Sequence, residues 1–356
     1  MNQKVIFTTL VGDAIDDLVS QLGAPQIFVI VDVNTAQYVL PVLKEQSKAV
    51  QDATVITVKA GDAEKTLENT HTIWKELHNN NATRSSVVIN VGGGVVTDLG
   101  GFAAATYKRG LRVINVPTTV LGAVDAAIGG KTGINYNGYK NEIGTFTEPI
   151  ASVITSDFFN TLSQQELLSG YAEMLKHGLL ESDEELNKLL AYSVVYPIFD
   201  AERLLSLIET SVQVKQRVVE ADFNESGYRK VLNLGHTFGH AFETLALKRQ
   251  SPIPHGFAVA QGCVAALVLS HMKLGFPSET LQKFADYVRK NYNAFAFTCD
   301  DYDFLYQAML KDKKNLTPDT VAFTLLEEVG KPKIEVPATK EEIASALDIY
   351  RDLMGI

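Results

Sequence analysis

Short apolar segments alternate with longer amphipathic stretches through the first 160 residues. The apolar segments are rich in β-branched side chains, which is typical of strands buried on both faces of a sheet. They lie at 26–33, 53–58, 85–91, 112–117 and 151–155. The stretches between them predict helices over 63–79, 97–106 and 119–128. Strands that alternate with helices indicate a parallel sheet with crossover helices, and therefore a Rossmann-like α/β domain.

The β-branched segments largely stop after Ser156. The remaining pattern predicts helices at 163–180, 183–192, 199–220, 236–247, 256–274, 278–291 and 339–354. The change of pattern lies near 157–165, where SDFFNTLS offers a helix cap. We therefore expect an α/β domain over 1–160 and a mostly α-helical domain over 161–356.

Composition and charge narrow the class of protein. The chain has 356 residues, of which 46% are apolar and 21% charged, and its formal net charge is −10. This balance is ordinary for a globular protein of about two domains. The excess of acidic residues argues against a protein that binds nucleic acid or an anionic membrane, because a protein surface that binds either one needs clustered positive charge. A small anionic substrate needs only a local basic pocket, so it is compatible with an overall excess of acidic residues.

Targeting and redox features indicate a cytoplasmic protein. The first ten residues, MNQKVIFTTL, lack the basic region and apolar core of a signal peptide. The longest apolar stretch, 256–272, contains Gln261, Ser270 and His271, which favours a buried helix over a membrane span. The two cysteines, Cys263 and Cys299, form no CxxC motif, so we predict neither a disulfide framework nor a thiolate metal site.

A glycine-rich turn follows the third predicted strand. Gly92 and Gly94 fit the dinucleotide fingerprint GxGxxG, but Thr97 occupies the position of its third glycine. The acidic residue expected about twenty positions later is missing, and Asp32, at the end of an earlier strand, is an alternative ligand for ribose hydroxyls. The turn either binds a phosphate at the following helix start or simply closes a βα unit.

Four of the seven histidines lie at 177, 236, 240 and 255, all in the helical half. His236 and His240 lie four residues apart and share one helical face. Their spacing is that of the zinc peptidase motif HExxH, but Thr237 replaces the glutamate that acts as the base, which disfavours peptidase chemistry. Taken singly, histidines on amphipathic helices are more often packed or solvent-facing side chains than ligands.

Mixed nitrogen and oxygen donors in this half are compatible with a metal. Glu173 lies on a predicted helix, with Lys176 and His177 three and four residues further on. Three such ligands and an open position make a catalytic divalent site, most often for zinc. Gly235, Gly239 and Gly256 strengthen this interpretation, because glycine is costly in a helix unless something approaches the backbone closely.

Seven segments together resemble the 3-dehydroquinate synthase family. In chain order they are GGGVVTDLGGF, VPTTVLGAVDAAIGGKTGIN, YKNEIGTF, SGYAEMLKHG, RKVLNLGHTFGHAFE, HGFAV and DKKN, within roughly residues 30–315. Single segments are shared with other sugar-phosphate cyclases, and the metal-dependent glycerol dehydrogenases are more remote relatives. The order and number of the segments make the resemblance specific.

The resemblance implies a carbon–oxygen lyase of the shikimate pathway, which supplies aromatic amino acid biosynthesis. Such an enzyme converts 3-deoxy-D-arabino-heptulosonate 7-phosphate into 3-dehydroquinate and phosphate. In the family, bound NAD+ is reduced and then reoxidised within one turnover. Phosphate is eliminated between these two steps, and the ring finally closes by aldol addition. One divalent metal, Zn2+ or Co2+, is expected on Glu173, His236 and His255.

The resemblance also assigns residues to the substrate and the cofactor. Substrate contacts or catalytic roles are expected for Lys131, Asn141, Lys176, Lys215, Glu225, Arg229, Asn233, His240 and Lys313. Arg109 corresponds to an arginine that reaches the phosphate site of a neighbouring subunit, which implies a homodimer. Cofactor contacts are expected for Asp32, Asp62, Lys65, Gly93, Gly94, Val95, Asp98, Thr118, Thr119, Asp125, Lys131 and Lys140. Taken alone, each Lys or Arg would be read as a solvated surface charge.

Three positions depart from the family pattern. Thr97 replaces a glycine, Phe257 replaces the glutamate of HGEAV, and Asp62 is shorter than the acid of GExxK. Thr97 puts in question how closely the pyrophosphate can approach the glycine turn. Phe257 changes the expected surroundings of His255. None of the three removes an expected metal ligand or catalytic lysine.

Other functions are weighed by what each requires. A cyclase that makes an inosose or a valiolone would share the metal and NAD+ but change the residues that contact the substrate. A glycerol-type dehydrogenase would release NADH. It would not need the extra cationic residues Lys131, Lys176, Lys215 and Arg229. A degenerate binding protein would be expected to have lost a metal ligand. The retained residues favour the synthase.

Overall fold

A computed structural model describes residues 3–23, 25–137, 139–195, 200–311 and 320–356. The chain divides into two compact units, which are described separately. The first comprises Met1–Ser163 and Pro197–Gln216, and the second comprises Gln164–Tyr196 and Arg217–Ile356. The domain assignment 1–160 and 161–356 stays a prediction, and residues 197–216 group with the N-terminal segment.

The first unit is built on a parallel sheet. Its strands, in chain order, are β1 (Lys4–Phe7), β2 (Ile27–Asp32), β3 (Thr54–Val58), β4 (Val87–Gly92), β5 (Arg112–Pro117), β6 (Lys131–Tyr136), β7 (Tyr139–Phe146) and β8 (Ala151–Ile154). Six of them form a sheet in the order β1-β8-β5-β4-β2-β3, with every pair parallel. The other two, β6 and β7, form a separate antiparallel hairpin. The Rossmann-like α/β fold predicted for this part is confirmed.

Helices cover both faces of this sheet. They are α1 (Val11–Gln21), α2 (Val33–Tyr38), α3 (Leu40–Gln46), α4 (Lys48–Gln51), α5 (Leu67–Asn79) and α6 (Gly94–Thr106). In β2, Val29 and Val31 face one apolar cluster while Phe28 and Ile30 face the other. A strand buried on both faces has no polar positions to alternate with, which is why its sequence reads as a continuous apolar run.

The structure also differs from the sequence prediction in the first unit. β1 and the β6–β7 hairpin were not predicted, and the helix predicted over 119–128 is only a π-helical turn at Gly122–Ala126. β1 has only four residues, and β7 is exposed at nearly every position, so neither shows the apolar pattern that predicts a strand.

The second unit is mostly helical, as predicted. Its helices are α7 (Gln164–Glu181), α8 (Asp183–Ala191), the end of α9 (Ala201–Ala221), α10 (His236–Lys248), α11 (His255–Leu274), α12 (Ser278–Asn291), α13 (Tyr302–Leu310) and α14 (Lys340–Met354). An antiparallel hairpin of β9 (Val321–Leu326) and β10 (Pro332–Ala338), which was not predicted, belongs to the same unit. α11 is long and apolar enough to cross a membrane, but 78% of its apolar window is buried inside the structure, as predicted for 256–272.

Glycines allow the helices of the second unit to pack closely. A Cβ on Gly239 would lie 2.9 Å from the carbonyl oxygen of Ala258, and one on Gly256 would lie 1.9 Å from that of Ser169. These distances are shorter than van der Waals contact, so only glycine fits at the crossings of α10 with α11 and of α11 with α7. The close approach that the sequence predicted is therefore made, at these two positions, by a neighbouring helix.

Candidate active site

Three side chains of the second unit bring their donor atoms together. Glu173 lies on α7 and is completely buried, and its Oε1 is 3.5 Å from the Nε2 atoms of both His236 and His255. All three donor atoms lie within 4.8 Å of one another. A buried carboxylate and two imidazoles at this separation can hold a divalent cation.

Local sequence places both histidines at helix starts. Gly235 adopts the left-handed conformation, with φ of 77°, and His236 is the first residue of α10. His255 is the first residue of α11 and follows Pro254, whose fixed φ ends the preceding loop. Because the first residue of a helix projects from its end, each ring reaches beyond its own helix toward α7.

Hydrogen bonds at the other ring nitrogen orient each imidazole. Nδ1 of His236 is 3.1 Å from the carbonyl oxygen of Leu234, so it carries the proton and donates. Nδ1 of His255 is 3.4 Å from Oε2 of Glu243, which is also buried. Both contacts leave Nε2 as the ligand atom, an arrangement that is usual for metal-bound histidines.

Charge within the group favours the ionised carboxylate. Burial opposes its ionisation, but the ammonium of Lys176, 2.5 Å from Oε2, and the neighbouring imidazoles hold the pKa of Glu173 well below its usual range. Burial and Lys176 lower the pKa of His236, which favours its neutral form. Burial also acts to lower the pKa of His255, but Glu173 and Glu243 raise it to about 10.

The donor set fits a divalent metal. Apart from the ion pair with Lys176, neither oxygen of the buried Glu173 carboxylate accepts a hydrogen bond of ordinary geometry from the described residues. A buried carboxylate oxygen without a hydrogen-bond donor is costly unless a cation lies beside it. Two imidazole nitrogens and one carboxylate oxygen leave a coordination position open, which is typical of catalytic zinc sites.

Other predicted site residues lie in the same unit. The ring of His240 is exposed, and its centroid is 5.4 Å from that of His236 and 6.1 Å from that of His255. Arg229 is buried in the turn Tyr228–Asn233, and its guanidinium donates to the carbonyl oxygen of Phe223 at 2.6 Å. The amide of Asn233 donates to Glu225 at 3.4 Å. Lys313 lies outside the described residues.

Predicted cofactor residues surround the start of α6 in the first unit. Gly93 caps this helix, Gly94 and Val95 open it, and Asp98 lies one turn further on. A Cβ on Gly93 would lie 3.0 Å from the Thr119 side chain, so the glycine keeps the two segments close. Free N–H groups and the positive dipole end at such a helix start favour an anionic phosphate.

Thr97 does not point out of the glycine turn. Its side chain is buried, and its hydroxyl donates to the carbonyl oxygen of Gly94 at 3.1 Å within the same helix. Phe257, the second departure from the family pattern, packs edge-on against Tyr292 with ring centroids 5.1 Å apart. Both substitutions are accommodated by internal packing.

A cluster of alternating charges adjoins the glycine turn. Nζ of the buried Lys65 is 2.9 Å from Asp98 and 3.4 Å from Asp62, and Nζ of Lys140 is 3.3 Å from the other oxygen of Asp62. Burial raises the pKa of Asp98, although Lys65 acts in the opposite direction. The shorter acid at position 62 therefore still reaches both lysines.

The remaining predicted residues of the first unit occupy separate places. Lys215 is buried and forms an ion pair with Asp125, and Thr118 is buried beside Thr119 after β5. Lys131 begins β6 and is exposed, and Asn141 on β7 has a positive φ of 52°.

Two further predicted residues lie in turns or at an element's end. Asp32 ends β2 and caps α2 by accepting hydrogen bonds from the N–H groups of Asn34 and Thr35. Arg109 lies in a turn with a positive φ of 68°.

Sequence reasoning missed two carboxylates. Glu243 lies three and seven residues after His240 and His236, so all three share one helical face, and this spacing was a usable signal. Asp222 accepts four hydrogen bonds from the segment that ends at Arg229. Nothing in the sequence distinguishes it from an ordinary loop aspartate.

Comparison with known proteins identifies the family. Two adjacent family models match, 3-dehydroquinate synthase N-terminal over residues 55–169 and 3-dehydroquinate synthase C-terminal over residues 170–315. A 3-dehydroquinate synthase from Parabacteroides distasonis is 46% identical over 354 residues, which cover 99% of each chain. The chain belongs to the 3-dehydroquinate synthase family. This confirms the resemblance on which the site prediction rests.

Solved structures of related cyclases share the fold. The 2-epi-5-epi-valiolone synthase from Streptomyces hygroscopicus, with NAD+ and Zn2+ bound, is 25% identical and aligns with a TM-score of 0.85 over 98% of this chain and 97% of that chain. A 2-deoxy-scyllo-inosose synthase complexed with carbaglucose-6-phosphate, NAD+ and Co2+ aligns with the same TM-score at 22% identity, over 98% and 96% of the chains. At that identity the second similarity concerns the fold alone.

Proposed function

We propose that this member of the 3-dehydroquinate synthase family converts 3-deoxy-D-arabino-heptulosonate 7-phosphate into 3-dehydroquinate and phosphate. The enzyme is a carbon–oxygen lyase of the shikimate pathway. The observation that carries the proposal is 46% identity over 99% of the chain with a relative of that name, together with an intact Glu173, His236 and His255 group. A degenerate binding protein would not be expected to keep all three donors within 4.8 Å.

The proposal includes one divalent metal and NAD+. Glu173, His236 and His255 would hold the metal, which when bound supplies a Lewis acid for hydroxyl and ketone oxygens. Gly93, Gly94, Val95 and Asp98 would contact NAD+, which when bound accepts and returns a hydride. The valiolone synthase that shares the fold has NAD+ and Zn2+ bound, which supports this assignment.

The basic residues match a substrate with one phosphate and one carboxylate. Arg229 presents a planar guanidinium with several donors, which suits bidentate binding of either anion. Lys176, three residues after Glu173, lies beside the metal group and would bind and orient an anionic group there. Lys131, Asn141, Lys215, Glu225, Asn233, His240 and Lys313 remain proposed substrate or catalytic residues. We also propose the remaining cofactor contacts: Asp32, Asp62, Lys65, Thr118, Thr119, Asp125, Lys131 and Lys140.

Assembly and location form part of the same proposal. We propose a homodimer in which Arg109 of each subunit completes the phosphate site of the other. We also propose a cytoplasmic location, since both cysteines are free thiols and the pathway intermediates are small and anionic.

The deciding assay supplies purified protein with NAD+, a divalent metal and the heptulosonate phosphate. We expect release of inorganic phosphate, formation of 3-dehydroquinate and no net NADH. Stoichiometric NADH would contradict the proposal and indicate a dehydrogenase. Turnover only of a substrate that closes to an inosose or a valiolone would assign the chain to another branch of the cyclases.

A further inference from the structure

One buried hydroxyl joins α7 to the start of α11. Ser169 lies on α7 and is buried, and its Oγ accepts a hydrogen bond from the N–H of Gly256 at 3.1 Å. Gly256 is the second residue of α11 and directly follows His255, which begins the helix. The hydroxyl therefore holds the main chain next to one of the three residues that can bind the metal.

The start of α11 needs an acceptor from outside its own sequence. The N–H groups in the first turn of a helix have no carbonyl partner within that helix. The N-cap side chain usually accepts from one of them, but the N-cap of α11 is Pro254, whose side chain has no acceptor atom. Ser169 on the neighbouring helix supplies the acceptor instead. Because Gly256 is buried, loss of the hydroxyl would leave its N–H without this partner, which is costly.

The same face of α7 carries the hydroxyl and a metal ligand. Ser169 and Glu173 are four residues apart, so they lie one turn apart on one face of the helix. Oε1 of Glu173 is 3.5 Å from Nε2 of His255, while the Ser169 hydroxyl binds the main chain of the next residue. One turn of α7 thus contacts both the ring of His255 and the main chain that carries this ring. The hydrogen bond therefore helps to set the distance between the imidazole and the carboxylate.

The separation of the two helices is fixed in both directions at this point. A Cβ on Gly256 would lie 1.9 Å from the carbonyl oxygen of Ser169, so the two main chains are in contact and no side chain lies between them. This contact prevents a closer approach of α11 to α7. The hydrogen bond from Gly256 to the Ser169 hydroxyl opposes their separation. Loss of the hydroxyl should therefore let the start of α11 move away from α7.

Other contacts keep this helix crossing together without the hydroxyl. The ring of Phe257 packs edge-on against that of Tyr292, with centroids 5.1 Å apart. The Tyr292 hydroxyl in turn donates to the carbonyl oxygen of Leu168 on α7 at 3.0 Å. Leu168 directly precedes Ser169, so a second connection joins the same parts of α7 and α11. Substitution of Ser169 should therefore loosen the start of α11 while the second unit stays folded.

We propose that Ser169 is a positioning residue that raises the metal affinity of the site by holding His255 at the distance from Glu173 at which both bind one cation. The inference rests on the metal ligands of the proposed function. It assigns no contact between Ser169 and the metal or the substrate. The residue acts only through its hydrogen bond to the main chain of Gly256.

The test variant is Ser169→Ala, which removes only the hydroxyl oxygen and places a better helix former in α7. We expect the affinity for Zn2+ and for Co2+, measured by competition with a chromogenic chelator, to fall by about 10-fold. This is the lower end of the loss that is typical when a group that orients a ligand is removed, because Ser169 acts on the main chain and not on the ring. The visible absorption spectrum of the cobalt-loaded protein should also change, since it depends on the coordination geometry.

Ser270→Ala is the matched control for general damage. Ser270 lies on α11 and is completely buried, and its hydroxyl donates to the carbonyl oxygen of Ala266 at 2.7 Å and accepts from the N–H of Leu326 at 3.0 Å. The control thus removes the same atom and also takes the acceptor from a buried main-chain N–H. It does so about 22 Å along the helix from His255. We expect lower stability, but metal affinity within about twofold of wild type, because the two sites are far apart.

Metal binding is measured without substrate, so the inference and the proposed function can fail separately. If the wild-type protein binds one metal but does not turn over the heptulosonate phosphate, the proposed function fails and the comparison still tests Ser169. Wild-type metal affinity or an unchanged cobalt spectrum in a folded Ser169→Ala variant would overturn the inference. An equal loss of affinity in Ser270→Ala, or the absence of stoichiometric metal in the wild type, would also overturn it. If Ser169→Ala does not fold, Ser169→Cys, whose thiol is only a weak acceptor, must show the same fall in affinity.

Discussion

At the scale of single residues, a neighbouring group in the second unit contacts Nδ1 of each of the two imidazole rings, the nitrogen that does not face Glu173. The Leu234 carbonyl accepts from His236, and the Glu243 carboxylate lies against Nδ1 of His255. Glu173 is the buried carboxylate on which both Nε2 atoms converge. These contacts fix tautomer and ring direction, so the donor group is arranged by the protein itself.

Removal of a ligand should abolish metal binding and turnover together. We expect His236→Ala to lose its stoichiometric metal and to lower kcat by about 10³-fold or more, since several kcal/mol of charge stabilisation depend on the metal. Metal content is measured by elemental analysis after dialysis, and turnover by phosphate release. Full activity with bound metal in this variant would refute the ligand assignment.

Loss of the carboxylate that contacts Nδ1 of His255 should have a smaller effect than loss of a ligand, and the effect should fall on metal affinity. Glu243→Gln exchanges the charged partner of His255 for a neutral one, and we expect metal affinity to fall by about 10- to 100-fold. Competition with a chromogenic chelator measures this without any assay of activity. Glu184→Gln, a substitution on the exposed face of α8, serves as the control. Equal metal affinity in the two variants would exclude a positioning role for Glu243.

At the scale of elements, helix packing brings the donors together. Glu173 lies in the middle of α7, whereas the two histidines begin α10 and α11, and glycines let these helices approach within main-chain contact. Every residue of α11 from Gly256 to Ser270 is buried, so this part of the helix packs against neighbouring elements on all sides. The distances between the donor atoms are consequently set by main-chain packing. A larger separation of the helices at a crossing would therefore change the distances between these atoms.

A methyl group at one helix crossing should therefore disturb both fold and site. The Cβ in Gly256→Ala would lie 1.9 Å from the Ser169 carbonyl oxygen, so α11 and α7 must separate next to His255. We expect the free energy of unfolding to fall by about 1–3 kcal/mol, despite the gain in helix propensity, and metal affinity to fall as well.

Denaturant unfolding and metal titration check this expectation. Gly94→Ala at the start of α6 is the control for stability, because its Cβ would be 3.2 Å from the Ala126 Cβ and not against a carbonyl oxygen. Unchanged stability and metal affinity in Gly256→Ala would show that the crossing tolerates expansion.

At the scale of the whole molecule, the proposed homodimer makes a prediction that no single subunit can satisfy. Arg109 is proposed to act in the partner's site, whereas Lys131 and Lys215 are proposed to act in the site of their own subunit. Co-expression of Arg109→Ala with Lys131→Ala gives heterodimers in which one of the two sites is complete. Random pairing should then restore about a quarter of the wild-type activity.

The control pair is Lys131→Ala with Lys215→Ala. Both residues are proposed to serve the same subunit's site, so no heterodimer would contain a complete one and activity should not return. Differently tagged subunits allow the heterodimer to be purified and its phosphate release measured. Equal recovery in both pairs, or in neither, would count against the shared site.

The sequence by itself determined the classes of element and most of the candidate site residues. Five apolar segments with β-branched side chains became five strands of the parallel sheet, because strands of a sheet that is covered on both faces are mostly apolar. The order of the motifs led to the family, and the −10 net charge argued against polyanionic partners without describing the pocket. β1 and the exposed β6–β7 hairpin escaped prediction because they are short or solvated and lack the apolar pattern. β9 (VAFTLL) does carry that pattern and is almost completely buried, so the sequence offered a signal for this strand that was missed, whereas its partner β10 is exposed at alternate positions.

Only the tertiary structure decided what surrounds each functional side chain. The sequence predicted that glycines near the histidines admit a close approach, and the structure shows that at Gly239 and Gly256 the approaching atoms are those of neighbouring helices. The structure alone revealed that Glu243 supports His255 and that Asp222 organises the segment before Arg229. Local patterns report on burial and on the helical face, since these depend on neighbours in the chain. Partners that supply a hydrogen bond are chosen by long-range packing, which leaves no periodic trace in the sequence.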